Sequence, residues 1–137
     1  MNAARALSSL GAVACLFVVV VLAAPALVVE GVEGLLRDYY AAGPTGAVGI
    51  GFFAAIGVVV FLSGERGSAD PPIVAGLATV LGGALVVLSV VWIVSMDSTT
   101  VFSFPVEYDW IEYHRYVVLG LSLLALVAAA GYAREYV

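Results

Sequence analysis

The chain has 137 residues, of which 64% are hydrophobic and 11% charged, and it carries a net charge of −5. Soluble domains run at roughly 45–50% apolar and about 25% charged, so a mean hydropathy of +1.14 excludes an ordinary soluble fold. The acidic balance also argues against nucleic acid as a partner.

The first apolar run, residues 7–29, reads "LSSLGAVACLFVVVVLAAPALVV" and is long enough to cross a hydrocarbon layer roughly 30 Å thick. Arg5 and "LAAPA" have the outline of a signal peptide, but the run exceeds a typical signal core and a retained helix is expected. Cys15 is the single cysteine, which rules out an internal disulfide and a CxxC site; a small buried hydrophobe is the preferred reading over a lipid-modified residue. Pro25 has no N–H, so it kinks this helix unless neighbours take up the carbonyl it frees.

In the segment that follows, Val32, Leu35, Leu36 and Tyr39 fall on one helical face, and the expectation is a short amphipathic helix lying on the membrane surface. Pro44 and Thr45 precede a second span at 46–63. The connection "GERGSADPP" leads to a third span at 73–95, with Asp70 as N-cap and the two prolines opening the helix. Small residues recur four apart: Ala47, Gly51 and Ala55 on the second span, and Ala75, Thr79 and Gly83, beside Ala78 and Gly82, on the third. Such rows let helices approach closely in lipid. Gly51 and Gly83 are therefore expected at the close contacts of an antiparallel hairpin. Beyond the third span, Phe102, Phe104, Val106 and Tyr108 alternate with Ser103, Pro105, Glu107 and Asp109, which predicts an extended segment laid over the helix ends.

The stretch "EYDWIEYHRY", residues 107–116, holds the single histidine. Asp109 and Glu112 have the spacing of N-cap and third helical residue and would start the fourth span, 110–132, at Trp110. Glu112 and Arg115 can pair along that helix. Trp110, Tyr113 and Tyr116 suit the headgroup level. Only His114 is left without an architectural role. The competing reading makes Glu107, Asp109, Glu112 and His114 a metal site, but the spacing matches no ligand motif and the structural reading is preferred.

The apolar stretches, in the fourth span Tyr116 to Tyr132, carry no Asp, Glu, Lys, Arg or His, and buried ionisable groups are the usual mark of proton relays and ion-coupled transport. No phosphate loop, nucleophile elbow or HExxH motif is present. The expected fold is a single all-α membrane domain over 1–137, four transmembrane helices in an up-down bundle. The termini and the middle loop carry three arginines against three carboxylates; the opposite side carries two against seven. That split places the termini in the cytoplasm of a multi-pass cell-membrane protein. No catalytic, cofactor-binding or metal residue is assigned and no cofactor is expected. The function expected is non-enzymatic: an accessory subunit, assembly partner or self-associating module, with the bilayer and either further copies or a larger membrane complex as partners. The alternative is a small oligomeric channel or transporter for a neutral solute.

Three stretches carry a resemblance: "RALSSLGAVA" opening the first helix, "DYYAAGPTG" before the second, and "GERGSADPPIVAG" joining the second and third. With them the chain resembles, over its whole length, the small four-helix membrane proteins of unknown function of haloarchaea. All five basic residues are Arg, none Lys, and the acidic excess suits strong brine, where salt screens self-repulsion. The resemblance implies the fold and the membrane location, and no reaction.

Overall fold

Long apolar runs with scattered small residues fold here as helices, and the computed structural model describes residues 3–96, 99 and 102–136. In chain order the elements are α1 (Ala3–Val28), α2 (Glu33–Ala41), α3 (Gly46–Arg66), α4 (Pro71–Ser95), a 3-10 turn (Val106–Tyr108) and α5 (Ile111–Arg134). Among the described residues, four helices are long and apolar enough to cross a membrane, and there is no strand. The four expected spans at 7–29, 46–63, 73–95 and 110–132 correspond to α1, α3, α4 and α5 with shifts of a few residues at their ends.

Local chemistry fixes those ends. Asp70 sits at the N-cap of α4 with Pro71 and Pro72 in the first turn. Its backbone carbonyl accepts from Ile73 and Val74 at 3.0 Å, since the prolines have no N–H to offer. α3 runs past Ser63 to Arg66 and stops at Gly67, whose φ of 70° suits glycine. There the Gly67 amide donates to the Gly64 carbonyl and the Ser68 amide to the Ser63 carbonyl.

The long helices form a ring: α1 packs against α3 and α5, and α4 packs against the same two. At one end Arg5, Gly64, Arg66 and Tyr136 border a common pocket; this is the terminal end. At the other, residues of α1, α2, α4 and α5 meet around His114; this is the His114 end. Each long helix buries one stripe. On α5 it is Ile111, His114, Val118, Ser122, Ala125, Ala129 and Tyr132, the 3.6-residue period of a single face. The opposite faces are apolar as well, Val48 being 79% and Val80 70% exposed. Apolar residues on both faces are compatible with a multi-pass membrane protein.

The close helix approaches lie elsewhere than expected. A Cβ at Gly83 would meet nothing within 4 Å, and one at Gly51 only Leu22 at an ordinary 3.4 Å. Tight positions include Gly82, where a Cβ would stand 3.0 Å from the Cα of Leu126 on α5, Gly57, where it would stand 2.7 Å from Cys15 Sγ on α1, and Gly11 and Gly64 at the contact of α1, α3 and α4. The small-residue row on α4 was offset by one residue: its buried stripe is Ala75, Ala78, Gly82, Leu85 and Ser89, which turns Gly83 out of the seam.

The second connection also differs from expectation. Val106–Tyr108 is a 3-10 turn and not part of an extended segment; within it Phe104 is buried while Phe102 and Val106 are exposed. Pro105 sets this course, because its fixed φ opens a turn closed by a 2.8 Å bond from the Tyr108 amide to its carbonyl. The turn leads directly into α5, which starts at Ile111 after Trp110 with no side-chain cap. The Glu112 amide donates to the Asp109 carbonyl at 3.2 Å, so the Asp109 carboxylate is not called on as a cap. Asp97 lies outside the described residues.

Candidate functional site

Proline at position 25 leaves the carbonyl of Val21 without its helical donor. His114 supplies one: its Nε2 lies 2.6 Å from the Val21 oxygen. A carbonyl can only accept, so Nε2 carries a proton. The other ring nitrogen, Nδ1, lies 2.7 Å from the hydroxyl of Tyr39. Burial pushes the Tyr39 phenol far above its ordinary range, so its hydroxyl keeps its proton. With the ring neutral and Nε2 protonated, Nδ1 is bare and Tyr39 donates to it, which fixes the tautomer by one bond on each side.

A second repair sits one residue along. The Tyr40 hydroxyl donates to the Leu22 carbonyl at 2.6 Å and accepts from the Ala26 amide at 3.1 Å. Leu22 and Ala26 are natural i and i+4 partners, so Tyr40 has inserted itself into the helical ladder. Burial raises the Tyr40 phenol too, opposed by the bond from the Ala26 backbone. The two tyrosines come from α2, whose apolar face is turned into the protein, with Tyr39 fully buried and Leu35 and Leu36 packed against the core.

Aromatic packing holds the assembly. Trp92 Nε1 donates to the Tyr39 carbonyl at 2.9 Å, and the Trp92 and Tyr39 rings lie 5.1 Å apart. Phe104 meets Tyr39 edge-on at 6.1 Å, and Trp110 meets His114 in the same way at 6.1 Å. Centroid spacings of this size fall in the favourable aromatic range. Four elements thus converge on one side chain that is 4% exposed.

The residues weighed as metal ligands are not brought together. Glu107 and Asp109 are exposed and Glu112 is half-buried, while His114 points inward. Among the described residues no group of three or more His, Cys, Asp or Glu side chains could hold a metal ion. Arg115 does not pair with Glu112: its guanidinium contacts Met96 Sδ at 3.6 Å and lies 4.9 Å from the centre of the Tyr116 ring. Two apolar grooves flank α1 near Pro25. One, of about 350 Å³, runs between α1 and α3 beside Tyr40; the other, of about 360 Å³, runs between α1 and α5 beside Trp110 and His114.

Sequence reasoning missed Tyr39 and Trp92 as partners of His114, and Tyr40 as the side chain that enters the α1 ladder. Two signals pointed that way: a proline-freed carbonyl in search of a donor, and a histidine in search of a role.

Fold and site define a small all-helical protein with four membrane-compatible helices, braced at one end by a buried tyrosine–histidine network. The chain belongs to the DUF7548 family of unknown function, whose model matches residues 1–137. No curated protein and no solved structure gives a significant match.

Proposed function

We propose that this chain is a non-enzymatic, multi-pass protein of the cell membrane that acts through its surfaces, as an accessory subunit, an assembly partner or a self-associating module. One observation carries this reading: both nitrogens of the single histidine are consumed by structural bonds, to Tyr39 and to the Val21 carbonyl. A catalytic base needs a free nitrogen within reach of substrate. The four long helices are taken as an up-down bundle with α2 at the membrane interface and the termini in the cytoplasm; the charge split of the sequence supports that orientation. The missing Lys and the acidic excess support a salt-loving, haloarchaeal source.

Reconstitution tests the reading. Purified protein in lipid nanodiscs should show by native mass spectrometry either discrete multiples of the chain or a co-purified membrane protein in fixed ratio. Liposomes carrying it should shrink and recover under a glycerol or urea gradient no faster than empty ones. Solute flux above that background overturns the reading in favour of a small oligomeric channel for neutral solutes. For orientation, cysteines at Ser68 and Ser103 in a Cys15→Ala background should differ in whole cells, with only Ser103→Cys labelled by an impermeant reagent. Labelling at 68 and not at 103 reverses the topology.

A further inference from the structure

α2 is a short helix between two glycine pivots, Gly31 at φ 82° and Gly43 at φ 81°, a region glycine enters without strain. Among the long helices it packs directly on α3, and its deepest attachment is the Tyr39 side chain. The last turn of α1 turns Leu27 and Val28 outward, 80% and 54% exposed. Apolar grooves of about 350 and 360 Å³ flank α1 beside Tyr40 and His114. Tyr40 joins α2 to α1, and two side chains tie the pair to the body: His114 of α5 to both α1 and α2, and Trp92 of α4 to the Tyr39 carbonyl.

We propose that α2 and the last turn of α1 form a proton-operated latch, closed by neutral His114 and released when its ring takes up a second proton. In the closed state Nε2–H donates to Val21 and Nδ1 accepts from Tyr39. A proton arriving from solution at Nδ1 sets an N–H donor against the O–H donor of Tyr39, and one of the two must turn away. The groups facing the ring give the new charge no counterion. From α1 there is the Val21 carbonyl, from α2 Tyr39, from α4 Trp92 and from the N-cap of α5 Trp110. The nearest charge on α5, Arg115, is of like sign, and its Nε is buried without a hydrogen-bond partner among the described residues. Phe104, which covers Tyr39 from the second connection, carries no charge. An uncompensated buried cation is costly. Swinging α2 outward on its glycine pivots lets water reach the imidazolium, so acid selects the open form.

The test uses the full chain in nanodiscs with spin labels on Asp38→Cys in α2 and Asp109→Cys before α5, both exposed positions, in a Cys15→Ala background. Double electron–electron resonance should give one distance at about pH 7.5 and a second, longer population that grows as the pH is lowered through about 5.5 to about 4.5. A single proton shifts the open-to-closed ratio by up to about tenfold per pH unit. His114→Gln, which can donate and accept but cannot titrate, should stay closed across that range. Tyr39→Phe should show the open population already at neutral pH. A distance that does not change with pH overturns the proposal, as does an unchanged pH response in His114→Gln, which would assign the motion to surface carboxylates. Should His114→Gln not fold, nitrogen-15 spectra of the wild-type ring decide: gain of the second proton must coincide with the distance change, and a ring that titrates without it overturns the latch.

Discussion

The two ends of the molecule are held by different physics. At the terminal end a small cluster of Ala4, Val74, Ala75 and Tyr132 packs with Leu7, and Ser8 donates to the Phe61 carbonyl. Shape does most of the work there: small residues let helices meet, and each hydroxyl serves one nearby carbonyl. At the His114 end large aromatic side chains converge, and their polar atoms bridge four helices, α1, α2, α4 and α5. Close packing tolerates no added volume but is indifferent to protons. A directional network has the reverse character, since each donor and acceptor must find its match.

Substitutions can break or sharpen this contrast. The largest loss belongs to packing. Gly82→Leu drives a side chain into the Leu126 backbone and should cost about 3 kcal/mol, whereas Gly83→Leu one residue away should leave thermal unfolding in detergent nearly unchanged. Equal losses at both positions would sink the placement of the α4–α5 seam.

His114→Leu comes next. It strands the Tyr39 hydroxyl and the Val21 carbonyl together and should cost about 2 kcal/mol. In a Pro25→Ala background the restored backbone N–H can reach Val21, so the same substitution should cost roughly half as much. A double-mutant cycle with no coupling would show that the proline and the histidine act independently. Tyr40→Phe should cost less, about 0.5–1 kcal/mol, because Leu22 and Ala26 can close their own helical bond once the hydroxyl leaves.

A smaller effect is spectroscopic. Burial raises the Tyr39 phenol, so its ionisation in the ultraviolet should lag behind the ordinary phenol range near pH 10, and Tyr39→Phe should shrink the lagging component, Tyr40 still contributing to it. Because the folded value is raised, stability is intact below about pH 10 and falls above it, as the unfolded chain ionises first. The smallest effect is at Asp109, which caps nothing: Asp109→Ala should leave the melting curve where it was.

What the sequence revealed follows the strength of each local signal. Apolar runs longer than a bilayer, with prolines at 44, 71 and 72, announce four helices almost to the residue. The α2 face of Val32, Leu35, Leu36 and Tyr39 was equally plain, though not what would cover it. The offset from Gly83 to Gly82 was not legible, since one residue is about 100° of helix rotation and small residues stand on both faces of α4. Asp109 had the right spacing for a cap, but Pro105 four residues upstream had already diverted the backbone into a turn. The Tyr39–His114 bond joins residues 75 apart, and no periodicity carries information over that distance.

The repair of Pro25 also has an order in time. Chains enter the membrane from the N-terminus, so α1 is made with its ladder open at Val21. The Tyr40 hydroxyl, 18 residues beyond Leu22, can reach the neighbouring gap as soon as α2 emerges. Val21 must wait for a residue 93 positions later, in α5. Until then its carbonyl lacks a protein donor, and water or a chaperone's donor can serve it. A ribosome-bound chain halted before residue 114 should therefore exchange its α1 amides around Pro25 faster than the finished protein does. Completion of the first helix is an event that belongs to the last.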